Sequence, residues 1–328
     1  MFRPPLSRAR ATTAAALTVA LGLTGCAASP APDTAASAPA STATPTETPA
    51  ENSAEVRYAD LQHVHALQSN PATGSLYAAT HAGVWQIGIP ADVTGYPETA
   101  ARTSARVGTG AQDTMGFTIT ATGTAFGSGH PAPGEQPELA SPNLGLLRSA
   151  DLGANWQSIS LSGEVDFHAL DAGLADDGAY RVYGFDSGTA SMLVSTDSGE
   201  NWRPGPPVQL IDVAVHPENA DTVFLATPTG VQRSTDAGVS VEPLGLPQPL
   251  PLIETTAQGL VGLDGSGTVW TVGLDGGDAQ QHGQTRGAFE AFGAFRDASG
   301  ALWISVSDAE GIAVSGDLGA SWITLLER

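Results

Sequence analysis

Five of the seven histidines lie between residues 63 and 168, in short motifs that also contain acidic residues and a methionine. The motifs are His63-Val-His65, Thr80-His81-Ala-Gly83, Asp113-Thr-Met115-Gly-Phe-Thr118, Ser128-Gly-His130-Pro131 and Asp166-Phe-His168. Imidazole suits zinc or copper, and a thioether favours copper(I). The pattern therefore predicts a copper or zinc site. Its candidate ligands are His63, His65, His81, Met115, His130 and His168.

The same stretch offers a second chemistry, the hydrolysis of glycosides. This reaction needs an acid and a base or nucleophile on either side of the scissile bond. Asp113, Glu164 and Asp166 are candidate carboxylates for that pair, and His168 is a candidate to tune one of them. The sequence does not give the separations of these groups. Metal binding, hydrolysis and a non-catalytic role as a protein-interaction scaffold all stay open.

An eight-residue pattern, Ser-x-Asp-x-Gly-x-x-Trp, indicates which elements position these side chains. It begins at Ser149, Ser195 and Ser315, and a fourth copy at Ser234 has Val241 in place of the tryptophan. The starts lie 46, 39 and 81 residues apart, and the last interval is about two periods. A period of 40 to 45 residues with short strands predicts propeller blades. Ser and Asp can accept turn amide hydrogens and Gly tolerates a positive φ, so each copy predicts a tight turn.

The pattern resembles the Asp box of BNR-repeat proteins, a propeller group that includes sialidases, sortilin-type receptors and photosystem II assembly factors. The resemblance implies an all-β propeller of four-stranded antiparallel blades, with structural Asp-box turns between third and fourth strands. Their aspartates are Asp151, Asp197, Asp236 and Asp317. The strand and turn patterns along residues 57–328 predict six such blades, which makes a six-bladed β-propeller. The motifs from His63 to Asp186 also resemble actinobacterial lipoproteins described as glycosyl-hydrolase-like. The chain lacks the Arg-Ile-Pro motif of a typical sialidase.

In such a blade the first strand begins on the face opposite the Asp boxes, and the loop between the second and third strands lies there too. His63, His65, Asp113, Asp166 and His168 are predicted to open first strands. His81, His130 and Asp186 are predicted to lie in or next to the loops between second and third strands. We therefore expect a ligand site on one face of the first three blades. His216, in a turn on the other face, and His282, in a linking loop, are interpreted as ordinary surface residues.

The N-terminus predicts membrane attachment. Residues 1–25 carry Arg3, Arg8 and Arg10 before an apolar run, and Leu23-Thr-Gly-Cys26 follows as a lipobox. Cys26 is the only cysteine, so it is the predicted lipidated residue. Residues 26–56, rich in Ala, Ser, Thr and Pro after Cys26, predict a disordered tether. We expect a lipoprotein on the cell membrane, facing the outside of the cell.

The charge of the chain limits its partners. Three of the 13 basic residues and none of the 34 acidic ones precede Cys26, which leaves a mature chain with a formal charge of −24, ten positive against 34 negative. An acidic surface repels phosphate backbones, so nucleic acid is excluded as a partner. A glycan, a metal ion or a surface protein remains as the expected ligand, and we expect a monomer.

Overall fold

The computed structural model describes residues 55–132 and 141–328, which are almost entirely β-structure. Their 24 strands form six antiparallel sheets of four strands each, and every sheet uses four consecutive strands in chain order. The first strands of successive sheets contact one another in a closed circuit. This arrangement confirms the six-bladed propeller. The predicted signal peptide, Cys26 and most of the tether lie outside the described residues.

The first three blades follow a short helix, α1 (Tyr58–Leu61). Blade 1 consists of β1 (Val64–Ser69), β2 (Leu76–Thr80), β3 (Gly83–Ile87) and β4 (Ala105–Arg106). Blade 2 consists of β5 (Asp113–Ile119), β6 (Ala125–His130), β7 (Leu146–Ser149) and β8 (Gln157–Ser160). Blade 3 consists of β9 (Phe167–Leu174), β10 (Tyr180–Asp186), β11 (Ser191–Ser195) and β12 (Arg203–Pro204).

The other three blades repeat the pattern. Blade 4 consists of β13 (Asp212–Val215), β14 (Val223–Thr227), β15 (Gly230–Ser234) and β16 (Glu242–Pro243). Blade 5 consists of β17 (Leu252–Thr256), β18 (Gly259–Leu263), β19 (Thr268–Val272) and β20 (Gln280–Gln284). Blade 6 consists of β21 (Phe289–Arg296), β22 (Leu302–Asp308), β23 (Gly311–Ser315) and β24 (Ile323–Glu327).

The apolar core consists of six clusters, each between two neighbouring blades. Second strands such as β2 and β14 are buried along their whole length, because neighbouring blades cover both of their faces. The tryptophans of the repeat fill the outer part of these interfaces. Trp202 of blade 3, for example, packs 5.0 Å from Phe167 and donates its indole N–H to Ser160 of blade 2 at 2.9 Å.

The four Ser-x-Asp-x-Gly turns join third to fourth strands and share one hydrogen-bond pattern. In the first, Ser149 Oγ accepts the Gly153 N–H at 2.8 Å and donates to Asp151 Oδ1 at 2.7 Å. The aspartate then accepts the backbone N–H of Asn155. The copies at Asp197, Asp236 and Asp317 make the same three bonds. The copy at Asp236 keeps the turn without a tryptophan, so the polar residues alone specify it.

Blade 6 meets blade 1 without exchanging a strand, and side chains close the ring. Tyr58 of helix α1 donates its hydroxyl to Glu290 on β21. Arg328, the last residue of the sequence, lies over the Tyr58 ring at 4.9 Å and contacts the same carboxylate at 3.0 Å. Glu290 therefore ties both ends of the propeller chain together.

A cavity of about 800 Å³ opens at the axis on the face of the first-to-second strand turns. Half-buried carboxylates link the innermost strands near it. Asp171 on β9 accepts the Val215 N–H of blade 4 at 2.6 Å, and Asp212 on β13 accepts the Ile253 N–H of blade 5 at 2.9 Å. Burial raises the pKa of Asp171 to about 6 and that of Asp212 to about 7. Burial, together with the charges of these two residues, also raises the pKa of Glu254 well above its ordinary value.

In the part of the chain that the structure describes, no helix has both the length and the apolarity to span a membrane.

Candidate metal centre

The five predicted histidines lie at one end of blades 1 to 3, opposite the Ser-x-Asp-x-Gly turns. His63 precedes β1 and His65 lies on it, while His81 lies in the tight β2–β3 connection. His130 ends β6, and His168 is the second residue of β9. Within the described residues, two groups of three side chains have ligand atoms that all lie within 4.8 Å of one another.

The first group is His65, His81 and Asp113. The Nε2 atoms of His65 and His81 lie 3.2 Å and 3.9 Å from Asp113 Oδ1. The His65 side chain is only 10% exposed, and neither its Nε2 nor Asp113 Oδ1 has a hydrogen-bond partner although both atoms are buried. An unpaired buried polar atom costs about 1–3 kcal/mol, and a cation bound between the imidazole and the carboxylate would remove that cost for both atoms.

His63 lies beside this group, and an acidic residue of another blade holds it there. Its ring centroid is 4.7 Å from that of His65 and 5.4 Å from that of His81. Its Nδ1 lies 2.9 Å from Glu290 Oε2. Burial lowers the pKa of His63, and the two neighbouring imidazoles add to this effect against the opposing charge of Glu290.

The second group is His130, Asp166 and His168. Asp166 is buried, and its Oδ2 lies 2.7 Å from His168 Nε2 and 3.4 Å from His130 Nε2. The hydroxyl of Ser187 donates to the same Oδ2, whereas Oδ1 is buried without a partner. The Pro142 carbonyl lies 3.0 Å from His130 Nδ1. With the proton on Nδ1, this contact leaves Nε2 as a free lone pair, the usual support for a metal-binding imidazole.

Two pKa shifts describe the second group. The hydrogen bond with Asp166 raises the pKa of His168 against the effect of burial, and the charges of Asp166, Asp113 and Asp186 add to the rise. Burial would raise the pKa of Asp166. Hydrogen bonds from His168 and Ser187, with the charges of His168 and His130, outweigh burial and lower it. An incoming metal ion would have to replace the 2.7 Å contact between Asp166 and His168.

Three other predicted residues stand apart from these groups. Met115 is half-buried on β5, two residues beyond Asp113, and its role as a ligand stays a prediction. Glu164 is exposed in the tight turn before β9 and belongs to neither group. Asp186 is buried at the end of β10, where it accepts the Gly188 N–H at 3.1 Å and the Thr189 hydroxyl, so it shapes the β10–β11 loop.

The predicted positions of the two remaining histidines, His216 and His282, have different outcomes. His216 begins the turn between β13 and β14, as expected. The placement of His282 in a linking loop is wrong, because the residue lies on β20, with Nε2 2.7 Å from Thr271 Oγ1. The strand reads Gln-Gln-His-Gly-Gln and is the exposed edge of blade 5, so it lacks the alternation that signals a strand.

Sequence reasoning missed two supporting residues, Glu290 and Ser187. Glu290 is the second residue of β21, and Ser187 follows β10. Glu290 had a usable signal, because a closed ring of six blades must place the start of the sixth first strand beside His63. Ser187 had none, because a serine in a polar loop does not stand out.

No protein-family model and no curated protein matches the sequence. Solved structures do resemble the fold. The GH74 enzyme of Niastella koreensis is 18% identical, with a TM-score of 0.50 over 79% of this chain and 37% of that one. The GH74 xyloglucanase of Xanthomonas campestris is 16% identical, with a TM-score of 0.53 over 80% of this chain and 38% of that one. A chain of a nidogen/laminin complex is 12% identical, with a TM-score of 0.55 over 77% and 93% of the two chains.

These likenesses show the propeller fold alone. The chain spans less than two fifths of the length of the two GH74 chains. Glycoside hydrolysis by Asp113, Glu164, Asp166 or His168 accordingly stays a prediction.

Proposed function

We propose that this protein binds a divalent transition-metal ion, zinc or copper(II), on the His/Asp face of its propeller. This name denotes the end of blades 1 to 3 that carries the two groups of histidine and aspartate side chains. The supporting observation is the pair His65 Nε2 and Asp113 Oδ1, two buried atoms without hydrogen bonds that face each other at 3.2 Å. A bound ion would satisfy both atoms, with His81 as the third ligand.

The spacing of the first group fits a small cation. Zinc lies 2.0–2.2 Å from nitrogen and oxygen ligands, so neighbouring ligand atoms of a tetrahedral site are about 3.4 Å apart. The separations of His65 Nε2 and His81 Nε2 from Asp113 Oδ1, 3.2 Å and 3.9 Å, bracket that value. Three protein ligands would leave a fourth position open to water or to another molecule, as in zinc sites that keep an open position.

The donor types narrow the choice of metal. Two imidazoles and a carboxylate suit zinc and copper(II), whereas copper(I) prefers thiolate and thioether ligands. The negative charge of the chain also raises the local concentration of cations near an acidic face.

Calorimetric titration of chelator-treated protein with Zn²⁺ or Cu²⁺ tests the proposal. We expect stoichiometric binding by the wild type and at least a tenfold loss of affinity at the first group in His65→Ala. His216→Ala is the matched control, because it removes a histidine from the opposite face. A wild type that binds neither ion, or a His65→Ala variant with unchanged affinity, would contradict the proposal.

We further propose that the propeller is held outside the cell by a lipid on Cys26. The lipobox before Cys26 and the Ala/Ser/Thr/Pro-rich residues after it support this proposal. A coil of about 30 residues would span on the order of 30 Å, enough to hold the domain clear of the membrane. We expect wild-type protein in the membrane fraction with a fatty-acid label, and unlabelled Cys26→Ser protein outside that fraction. Equal labelling of both forms would refute the anchor.

A further inference from the structure

We infer that the His/Asp face holds two metal ions in adjacent sites, one in the His65, His81 and Asp113 group and one in the His130, Asp166 and His168 group. The inference rests on the proposed metal-binding function. Beyond that function, it specifies that two ions bind and that they lie close to each other.

The six side chains divide into two sites rather than one. Within each group, the three ligand atoms lie within 4.8 Å of one another, and the two groups share no residue. Each group also contains a buried carboxylate oxygen without a hydrogen bond, Asp113 Oδ1 in the first and Asp166 Oδ1 in the second. In the first group this oxygen faces His65, whereas in the second group the histidines contact the other oxygen, Asp166 Oδ2.

Strand pairing places the two groups side by side. Asp113 of the first group and His130 of the second are direct partners in the register of β5 and β6. Directly opposed residues of an antiparallel pair project to the same side of the sheet, with Cβ atoms about 4.5–5.5 Å apart. Ions bound to this carboxylate and this imidazole would therefore be close neighbours.

Two further contacts fix the segment that carries Asp166 and His168. Between them in sequence, Phe167 donates its backbone N–H to Ser128 Oγ, on the same strand as His130, at 3.0 Å. Gly116 on β5 lies so close to β9 that a Cβ atom there would be 2.5 Å from the Phe167 carbonyl oxygen. Strand β9 is thus held against β5 and β6, the strands that carry Asp113 and His130.

The two sites differ in how ready they are for an ion. His65 and Asp113 lack alternative partners, whereas Asp166 already accepts hydrogen bonds from His168 and Ser187. A second ion must displace the His168 contact and must also bind next to an existing positive charge. We therefore expect the first group to fill first and the second group to fill at higher metal concentration.

Native mass spectrometry and elemental analysis of the full chain, titrated with Zn²⁺, count the ions. We expect two per wild-type chain, one in His65→Ala, one in His168→Ala and none in the double variant, with His216→Ala as a two-ion control. One ion per wild-type chain would overturn the two-ion inference and leave the proposed function intact. No ion in the wild type would overturn both.

Electron paramagnetic resonance of the Cu²⁺-loaded protein tests proximity. Two neighbouring copper(II) ions should give spin–spin broadening and a half-field signal in the wild type, and each single variant should show an isolated copper spectrum. Two ions per wild-type chain with the spectrum of isolated copper would overturn the adjacency. Thermal unfolding of each metal-free variant separates a lost ligand from a misfolded chain.

Discussion

At the scale of single residues, His65 and His168 each lie next to an aspartate, but only His168 forms a hydrogen bond with it. His168 and Asp166 complete each other through a 2.7 Å hydrogen bond, so this pair is stable without a ligand. His65 and Asp113 face each other at 3.2 Å without a hydrogen bond. The His65–Asp113 pair therefore has two ligand atoms that no hydrogen bond occupies, as expected of a site that binds a cation.

Glu290 is the residue whose substitution best probes how the first group is oriented. It holds His63 through Nδ1, as carboxylates hold the imidazoles of metal sites. We expect Glu290→Gln to weaken zinc binding at the first group by less than about 10-fold, because Glu290 acts through His63, which packs against His65 and His81 rather than binding the ion itself. Calorimetric titration measures this change.

Ser307→Ala supplies the control for Glu290→Gln. Ser307 donates to Glu290 at 3.0 Å but does not contact His63 through any hydrogen bond that the described residues make. It tests the closure of the ring without touching the imidazole. Equal losses of affinity in the two variants would assign the effect to ring closure and contradict a role for Glu290 in orienting His63.

At the scale of strands and turns, the residues that stabilise a blade and the candidate metal ligands lie at opposite ends of its strands. The Ser-x-Asp-x-Gly turns lie at one end of the strands and the histidines at the other. In the turn of blade 3, Asp197 accepts hydrogen bonds from Ser195 and from both the backbone and the side chain of Asn201. These bonds hold the pKa of Asp197 below its ordinary value.

We expect Asp197→Ala to lower the free energy of unfolding by about 1–2 kcal/mol, since a net hydrogen bond contributes about 1 kcal/mol and some of these are exposed. Metal affinity should stay within twofold of the wild type, because the turn is at the far end of the blade. Urea denaturation and metal titration measure the two quantities. A large loss of metal affinity in a variant of near-normal stability would contradict this separation.

The elements also show what could be predicted from the sequence. The repeat of Ser149, Ser195 and Ser315 specified the blades, and the order of strands then placed the histidines on one face. The sequence could not predict which histidines lie next to Asp113 and which next to Asp166, because these distances depend on strand register and loop geometry. The role of Glu290 depends on contact between the two ends of the ring.

At the scale of the whole molecule, the propeller carries two polar regions. One is the His/Asp face, and the other is the set of half-buried carboxylates on the innermost strands, Asp171, Asp212 and Glu254. Asp171 and Asp212 each accept a backbone N–H of the next blade, so they contribute to the contacts that keep the ring in register. The sequence offered no signal for them, because a single acid in a short strand also suits an exposed position.

Asp212 makes the stability of the ring depend on pH. Its pKa is about 7 in the folded protein and near 3.8 when unfolded, because burial disfavours its charge. Between these values the folded state binds more protons than the unfolded state, so the free energy of unfolding falls as pH rises and levels off above the folded pKa. Below about pH 4 both states are protonated and Asp212 adds no slope.

In metal-free protein, the free energy of unfolding should decline between pH 4.5 and 8, and we expect Asp212→Asn to reduce that decline by roughly 1–3 kcal/mol. This is less than the full pKa shift implies, because the Asp212 side chain keeps some exposure to the axis. Asp212 accepts the backbone N–H of Val213 as well as that of Ile253, and the single oxygen of an amide can replace only one of these contacts. Stability at pH 4.5 should therefore drop in the variant, and the slope with pH is the diagnostic quantity. Asp171 and Glu254 act in the same direction, so part of the decline should remain. Asp297→Asn, in an exposed turn, is the control. Urea denaturation across the pH range measures the slopes, and an Asp212→Asn slope as steep as that of the wild type would mean that Asp212 is already ionised in the folded ring.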